Sequence, residues 1–383
     1  MARVLVLGAG LVGRALARRI AGDADHEVVV CDRDPSALEP LAARGRIATR
    51  AADALAPETL DALTAGIDAA VNALPGALGF RALEALIARG VPVVDISFMP
   101  EDPRSLDTAA RAAGVPAITD CGLMPGLGGM LAVHLAGRLD AARSARILVG
   151  GLPVERRLPF EYKAPFSPSD VIEEYVRPAR IRRGGRVVVL PALSELEHVD
   201  VPGVGTLEAF LTDGLRTLLD TLPLDDLCEK TLRYPGHART IGVLRSIGLF
   251  DERTVAVGNA RIAPRDLAAR LLREAWRLGP DDDELTVMRV EVAGERAGRP
   301  VVLGASLVER RDRATGESSM ARTTGVPALV ALRRVLDGRI ARPGVLPAER
   351  LARDRELFAG MLEELATEGV RVAFDDDAKD QAG

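Results

Sequence analysis

The sequence is short of the residues that would tie it to a disulfide framework, a zinc site or a membrane. Its 383 residues hold three cysteines, Cys31, Cys121 and Cys228, widely separated and with no Cys-x-x-Cys pair. That excludes a disulfide framework and the usual zinc spacings, and it fits a reducing cytoplasm. No apolar run approaches the roughly 20 residues that a membrane-spanning helix needs. The first residues read as a strand, not as a charged region followed by a long apolar core. A basic excess is missing too. The net charge of −5 and the isoelectric point near 5.6 argue against generic nucleic-acid binding, which needs a basic face. Lysine is scarce: Lys163, Lys230 and Lys379 stand against a total of 50 basic residues, a skew that coding bias explains. There is no internal repeat and no low-complexity segment. What is present, 48% hydrophobic and 27% charged residues at a mean hydropathy of +0.10, describes a soluble globular chain expected in the cytoplasm. Its length is enough for two domains, each with its own core.

The strongest local signal is Arg3-Val-Leu-Val-Leu-Gly8-Ala-Gly10-Leu11-Val12-Gly13, followed by Val28-Val-Val-Cys-Asp32. A β-branched apolar run leads into Gly-x-Gly-x-x-Gly, then a helical stretch, then a second apolar run ending in an acid. Each part has a task in holding a dinucleotide. Gly8 permits the tight turn, Gly10 lets backbone approach a pyrophosphate, and Gly13 lets the helix pack on the sheet. The pyrophosphate would rest on free N–H groups at the positive end of that helix. Asp32, nineteen residues after Gly13, falls where a carboxylate meets adenosine ribose hydroxyls. It would repel a 2′-phosphate and so favours NAD, although Arg33 beside it offers a partner for that phosphate and keeps NADP open.

Further along, strand-like runs alternate with helix-like ones. A helix around 36–44 precedes a short segment at Arg46–Arg50 and Asp53, which either lies near the adenine or marks a helix entry. Asp68–Pro75 reads as a strand ending in Asn72 and Leu74, Phe80–Arg89 as a helix, and Val91–Ser97 as a buried strand carrying Asp95 and Ser97. A helix at Arg104–Ala113 leads to the strand Val115–Asp120. This rhythm predicts a doubly wound parallel sheet with ligands beyond the C-terminal strand ends, after Leu7, Ala73, Asp95 and Thr119. The helix Leu127–Leu139 is apolar nearly all round and is expected to be buried between domains. From Ala145 the pattern turns antiparallel, with strands at 145–153 and Arg186–Leu190 and a hairpin of Leu285–Ala293 with Pro300–Glu309. Met320–Gly325 runs into an apolar helix, Val326–Leu336. The charged tail after Leu346 is expected to fray.

Polar clusters gather in the middle region: Glu161-Tyr162-Lys163 before Ser167, then Phe210–Leu218, then Lys230-Thr231-Leu-Arg233-Tyr-Pro-Gly-His237. Together with Gly150–Pro153, Tyr162–Pro168, Pro191–Ser194, Gly203–Phe210, Thr212–Leu218, Thr231–His237 and Ala321–Gly325 they resemble the saccharopine dehydrogenase family, most of all its bacterial lysine 6-dehydrogenases. The resemblance runs in order to about residue 347. It implies an α/β chain: an N-terminal Rossmann domain (1–125 with 322–383), an inserted α+β substrate and dimerisation domain (126–321), and a C-terminal helix returning to the first. It also implies NAD(P)-dependent oxidation of an amine carbon in a homodimer. Saccharopine reductases of this architecture lack an acid at the end of the second strand and use NADP, and their arginine for the glutarate portion, near Gly214, is missing here. Both departures favour a smaller diamino acid.

The chemistry asks for particular groups. Hydride leaves a carbon bearing nitrogen only when that nitrogen has a free lone pair, so an ammonium substrate must first lose a proton. The imine then takes up water and releases ammonia; lysine would give a semialdehyde that cyclises. Candidate bases are Asp120 and Asp95 at strand ends, Lys163, and His237, whose imidazole titrates in a suitable range. Arg233 or Arg216 would clamp an α-carboxylate and Asp213 an α-ammonium, with Tyr162, Ser167 and Thr231 as further substrate contacts. The cofactor contacts are Gly8, Gly10, Leu11, Val12, Gly13, Asp32, Arg33, Asp53, Asn72, Leu74 and Ser97. No metal, nucleic acid or membrane partner is expected. The rivals are saccharopine formation or cleavage, a carboxylated polyamine dehydrogenase, and a catalytically silent NAD-binding regulator.

Overall fold

Apolar runs without alternation form strands that are covered on both faces. In the computed structural model, which describes residues 1–23, 25–42, 46–164, 168–279 and 281–375, this is what β1 (Ala2–Leu7) does: Val4, Leu5, Val6 and Leu7 are fully buried. The chain continues through α1 (Leu11–Gly22), β2 (His26–Asp32), α2 (Pro35–Ala42), β3 (Ile47–Ala51), α3 (Pro57–Thr64), β4 (Ala69–Asn72) and α4 (Gly76–Ala88). It then passes through β5 (Val93–Asp95), α5 (Asp107–Ala113), β6 (Pro116–Thr119) and α6 (Leu127–Ala136). The middle of the chain supplies β7 (Ala141–Pro153), α7 (Pro168–Val176), β8 (Ala179–Arg183), β9 (Arg186–Leu190), β10 (Glu197–Val201), β11 (Gly205–Leu211), α8 (Leu218–Thr221) and β12 (Asp226–Arg233). After α9 (His237–Ser246) come β13 (Val255–Val257), β14 (Ala260–Ile262), α10 (Pro264–Ala275), β15 (Glu284–Arg296) and β16 (Arg299–Arg310). The last elements are α11 (Ser319–Leu336), β17 (Gly344–Pro347), α12 (Arg355–Thr367) and β18 (Ala373–Phe374). Two compact units result: Met1–His134 with Ala321–Val372, and Leu135–Met320 with Ala373–Gly383.

The first unit is built on a seven-stranded sheet in the order β17-β6-β5-β4-β1-β2-β3, every neighbouring pair parallel. Strand order reverses between β1 and β4, which opens a crevice beyond their C-terminal ends. Leu5, Leu7, Leu60, Leu83, Leu86 and Val93 are among the side chains that fill the core on one face. The C-terminal return is larger than a single helix. β17 pairs with β6, and the tail after Leu346 that was expected to fray forms α12, whose Phe358, Met361 and Leu365 recur on one buried face. Asp354 caps α12 by accepting the Leu357 N–H at 3.0 Å. The tail's charges are likewise engaged: Arg333 reaches Asp23, Glu364 and Glu368 at 2.7–2.8 Å. Residues 376–383 lie outside the described ones.

The second unit carries a mixed sheet in the order β10-β11-β12-β7-β15-β16-β18, with β8 joining β12 to β9. Only β12 and β7 run parallel; β15 pairs antiparallel with β7 and with β16 over most of its length. The β15–β16 turn is tighter than expected, with Arg296 opposite Arg299, because Ala297 and Gly298 both take positive φ. β10 and β12 escape the sequence pattern because charged residues occupy both of their faces, and β11 because Glu208 interrupts its apolar run. Against the sheet, α7, α9 and α10 enclose a core of Tyr162, Tyr175, Phe210, Ile241, Leu272 and Trp276. Among the described residues no helix is long and apolar enough to cross a membrane, and no group of three or more His, Cys, Asp or Glu is placed to hold a metal ion.

Candidate functional site

In the first unit the turn after β1 is shaped by its glycines. Gly8 has φ of +99°, and a Cβ there would stand 2.6 Å from the Ala73 carbonyl oxygen, so β1 and β4 close on each other only without a side chain. A Cβ on Gly13 would land on the Gly8 carbonyl. Gly10 differs. It is exposed, and a Cβ there would meet nothing within 4 Å. Gly10 is also the N-cap of α1, with no side-chain cap and no acid in the first turn. Free amides, a positive helix end and open space together fit a pyrophosphate. Leu11 and Val12 form the rim of this turn, Leu11 being 40% exposed.

Asp32 closes β2 beside that turn. One carboxylate oxygen accepts the Ala9 N–H at 2.7 Å and the other the Asp34 N–H at 2.9 Å. The acid is therefore held at the glycine turn, while Arg33 is exposed. Asp53 is exposed and accepts the Leu55 N–H at 2.9 Å; in the structure it serves the turn before α3.

Asn72, Asp95 and Ser97 form one closed network. Asn72 Nδ2 donates to Asp95 and to the Gly79 carbonyl, while the Ser97 N–H and hydroxyl donate to Asp95 at 3.0 and 2.9 Å. Asn72 and Asp95 are 0% exposed and Ser97 is 3% exposed. Burial, reinforced by nearby Asp120, pushes Asp95 up to about 8 against the pull of the Ser97 and Asn72 hydrogen bonds. Sequence position suggested direct contact with cofactor or substrate. The structure corrects this for Asn72 and Asp95: both are sealed, and they brace the floor of the crevice. Leu74, half-buried, and Asp120, at the end of β6 with φ of 55°, stand at the same edge of the sheet.

In the second unit β12 places Glu229, Thr231 and Arg233 on one face, because side chains two residues apart share a face. Arg233 is fully enclosed. Its guanidinium donates to Glu174 of α7 at 2.6 Å, lies 4.5 Å over the Tyr162 ring and approaches the Tyr162 and Tyr175 hydroxyls at 3.5 and 3.4 Å. His237 Nε2 meets the Tyr175 hydroxyl at 2.9 Å, and Nδ1 meets the Phe160 carbonyl at 3.1 Å. Burial and the neighbouring Arg233 drive His237 down to about 3. The expectation of a histidine poised for proton transfer near neutrality does not hold. It is a neutral, fully bonded ring at the start of α9, where Glu208 also accepts the Gly236 and Ala238 N–H groups.

The remaining substrate candidates divide. Asp213 is bound by Arg180 in a bidentate pair at 2.9 Å, which corrects its role as a free acceptor for an α-ammonium. Arg216 is buried with φ of 52° in the turn before α8. Thr231 Oγ1 meets Thr212 Oγ1 at 2.8 Å. Tyr162 and Lys163, adjacent in sequence, part company: Tyr162 enters the aromatic core, whereas Lys163 lines a cavity of about 420 Å³ with Glu155, Arg157 and Asp281–Asp283, its amine 4.0 Å from Asp282. Ser167 lies outside the described residues. Glu174, Tyr175 and Glu229 were missed. Glu174 and Tyr175 sit in α7, outside the polar clusters, and Glu229 directly precedes one; the charge of Arg233 was a reason to look for a carboxylate.

Comparison with known proteins identifies the family. The saccharopine dehydrogenase NADP binding domain matches residues 4–118, and the saccharopine dehydrogenase C-terminal domain matches residues 122–370. Alpha-aminoadipic semialdehyde synthase of Bos taurus is 24% identical across 96% of this chain and 47% of its own length. The chain thus spans about half the length of the animal synthases it matches. Saccharopine dehydrogenase (NADP+, L-glutamate-forming) of Saccharomyces cerevisiae is 22% identical across 90% of this chain and 93% of its own. Carboxyaminopropylagmatine dehydrogenase of Synechocystis is 21% identical across 95% and 96%. The solved apo saccharopine dehydrogenase (L-Glu forming) from S. cerevisiae superposes with a TM-score of 0.79 at 20% identity, covering 98% of this chain and all of that one, which establishes a shared fold.

Proposed function

Because the chain belongs to the saccharopine dehydrogenase family, we propose that it is a nicotinamide-dinucleotide-dependent oxidoreductase that oxidises a nitrogen-bearing carbon of an amino acid. L-Lysine is the substrate we favour, deaminated at C6 to a semialdehyde that cyclises, with release of ammonia. The observation that carries the cofactor half is the exposed Gly10 at the uncapped start of α1. The first-turn amides would receive the pyrophosphate, Gly10 would leave it room, and Asp32 would receive the adenosine ribose. When bound, the nicotinamide supplies the hydride acceptor.

The family's name points to NADP, and Arg33 is exposed for a 2′-phosphate. Against that, the Asp32 carboxylate is fixed beside the turn, where a phosphate would meet an anion. We therefore favour NAD. Of the four candidate bases, His237 is too weak, and both oxygens of Asp95 are taken by Asn72 and Ser97. Asp120, at the same sheet edge as the glycine turn, is our choice, with Lys163 second.

The second reading is saccharopine dehydrogenase activity, favoured by the near full-length match to the yeast enzyme. Purified protein is incubated with L-lysine, saccharopine or a carboxylated polyamine, each with NAD or NADP, while reduced nicotinamide, ammonia and glutamate are measured. Ammonia from lysine supports the first reading, and glutamate from saccharopine the second. Cofactor binding without turnover of any substrate would leave only a silent regulator.

A further inference from the structure

Glu229 in the second unit is a buried acid with no cation beside it among the described residues. Glu229 is 2% exposed and sits on β12 between Ile147 of β7 and the turn after β11. Its Oε2 accepts the Thr212 hydroxyl at 2.6 Å and the Gly214 N–H at 3.1 Å. Among the described residues Oε1 accepts no hydrogen bond and no arginine or lysine pairs with either oxygen. The neighbouring charges are accounted for. Arg233, four residues along the same face, is bound by Glu174, Lys230 on the opposite face by Glu197, and Asp213 by Arg180. A buried acid without a cation is costly when ionised.

Its cover is thin. A Cβ on Gly214 would stand 2.7 Å from Oε2, so the carboxylate lies directly beneath bare backbone of the Thr212–Thr217 turn, where Arg216 takes a positive φ. Thr212 and Thr231 add a hydroxyl pair beside it. A carboxylate with one oxygen accepting no hydrogen bond among the described residues, flanked by hydroxyls and lying against a glycine, has the chemistry to accept a compact cation.

We propose that Glu229 anchors the α-ammonium of the amino-acid substrate, the place that Asp213 cannot fill. This rests on the proposed function insofar as it presumes an amino-acid substrate. Burial, with Glu174 of α7 and Asp213 of the β11 turn adding to it, pushes Glu229 up to about 8, against the Thr212 and Gly214 hydrogen bonds. A cation arriving there ionises the acid and releases a proton, so affinity rises from about pH 6 to about pH 8.

The test compares L-lysine with 6-aminohexanoate, which keeps the carboxylate and the distal amine and lacks the α-ammonium. Both are titrated calorimetrically into the NADH-bound protein in two buffers of different ionisation enthalpy. Wild type should prefer lysine by roughly ten- to a hundredfold, the scale of a charge-assisted hydrogen bond, and release a proton only with lysine. Glu229→Gln, whose amide oxygen can keep both existing hydrogen bonds, should lose the preference and the proton release while its melting curve stays cooperative. Gly214→Ala should lose the preference with the charge still present. If Glu229→Gln discriminates like wild type, the anchor is wrong and the amine-oxidising reading stands. If wild type binds NADH but neither amine, both fall together.

Discussion

The glycine turn makes the sharpest prediction, because two of its glycines are required for different reasons. A Cβ at Gly13 would collide with the Gly8 carbonyl, and neither backbone can retreat without opening the β1–α1 turn. Overpacking of this kind costs about 1–3 kcal/mol. For a unit of this size each kcal/mol lowers Tm by roughly 2–4 °C, so Gly13→Ala should melt roughly 2–12 °C lower. Gly10 has φ of −66° and ψ of −171°, which alanine adopts freely, and the space around a Cβ is empty. Gly10→Ala should change stability by no more than about 0.5 kcal/mol. Its methyl would occupy the space assigned to the pyrophosphate. Losing one charge-assisted hydrogen bond costs about 1.5–3 kcal/mol, so cofactor affinity should fall roughly ten- to a hundredfold. Calorimetric Kd values for NADH and thermal melts with and without it separate the two effects. A Gly10→Ala protein that melts normally and binds NADH like wild type would refute the assignment of the turn.

Three more outcomes follow from single contacts. Asp32→Ala should weaken NAD much more than NADP, measured as the two Kd values; equal losses would take Asp32 off the ribose. Arg233→Met leaves Glu174 buried without its cation and should cost about 3–5 kcal/mol in urea denaturation, most of it restored by adding Glu174→Gln. A double variant as unstable as the single would mean that Arg233 has another main partner. Glu229 binds its proton more tightly folded, at about 8, than unfolded, near 4.5. Its contribution to stability is therefore present below the unfolded value and is lost as pH rises toward 8. Glu229→Gln should match wild type in Tm at pH 5 and exceed it at pH 9, and parallel pH profiles would sink that assignment.

The first unit was legible because parallel strands announce themselves. Val4–Leu7, Val28–Val30 and Ala69–Val71 are apolar runs with no polar alternation, and Gly8 and Gly13 are forced by backbone oxygens that a Cβ would meet at 2.6 Å or less. α12 was read as a fraying tail for a definable reason. Its charged residues are dense, and its buried set of Phe358, Met361 and Leu365 is only three side chains deep. The partners that neutralise it, Arg333 above all, sit some thirty residues upstream and cannot be paired by inspection. β10–β12 failed differently. Glu208, Glu229, Lys230 and Arg233 interrupt the period-two pattern with charges on both faces, and each except Glu229 is compensated from another element.

That pattern also explains why several of the candidate residues are engaged by other partners. Sequence reasoning picked residues by type: arginine for carboxylate, aspartate for ammonium, histidine for proton transfer. In a protein interior such types are mostly satisfied by one another, since an uncompensated buried charge costs several kcal/mol. Arg233 therefore has Glu174, Asp213 has Arg180, and His237 has Tyr175 and Phe160. A group kept for a ligand shows itself by what it lacks, and this can be read only after the partners are placed. By that criterion our two proposals rest on Gly10, with empty space around it, and on Glu229, with no cation beside it, rather than on the better-looking candidates. Each also has a substitution, Gly10→Ala and Glu229→Gln, that should leave the fold intact, so ligand binding can be tested in both units by melts and titrations of the same variants.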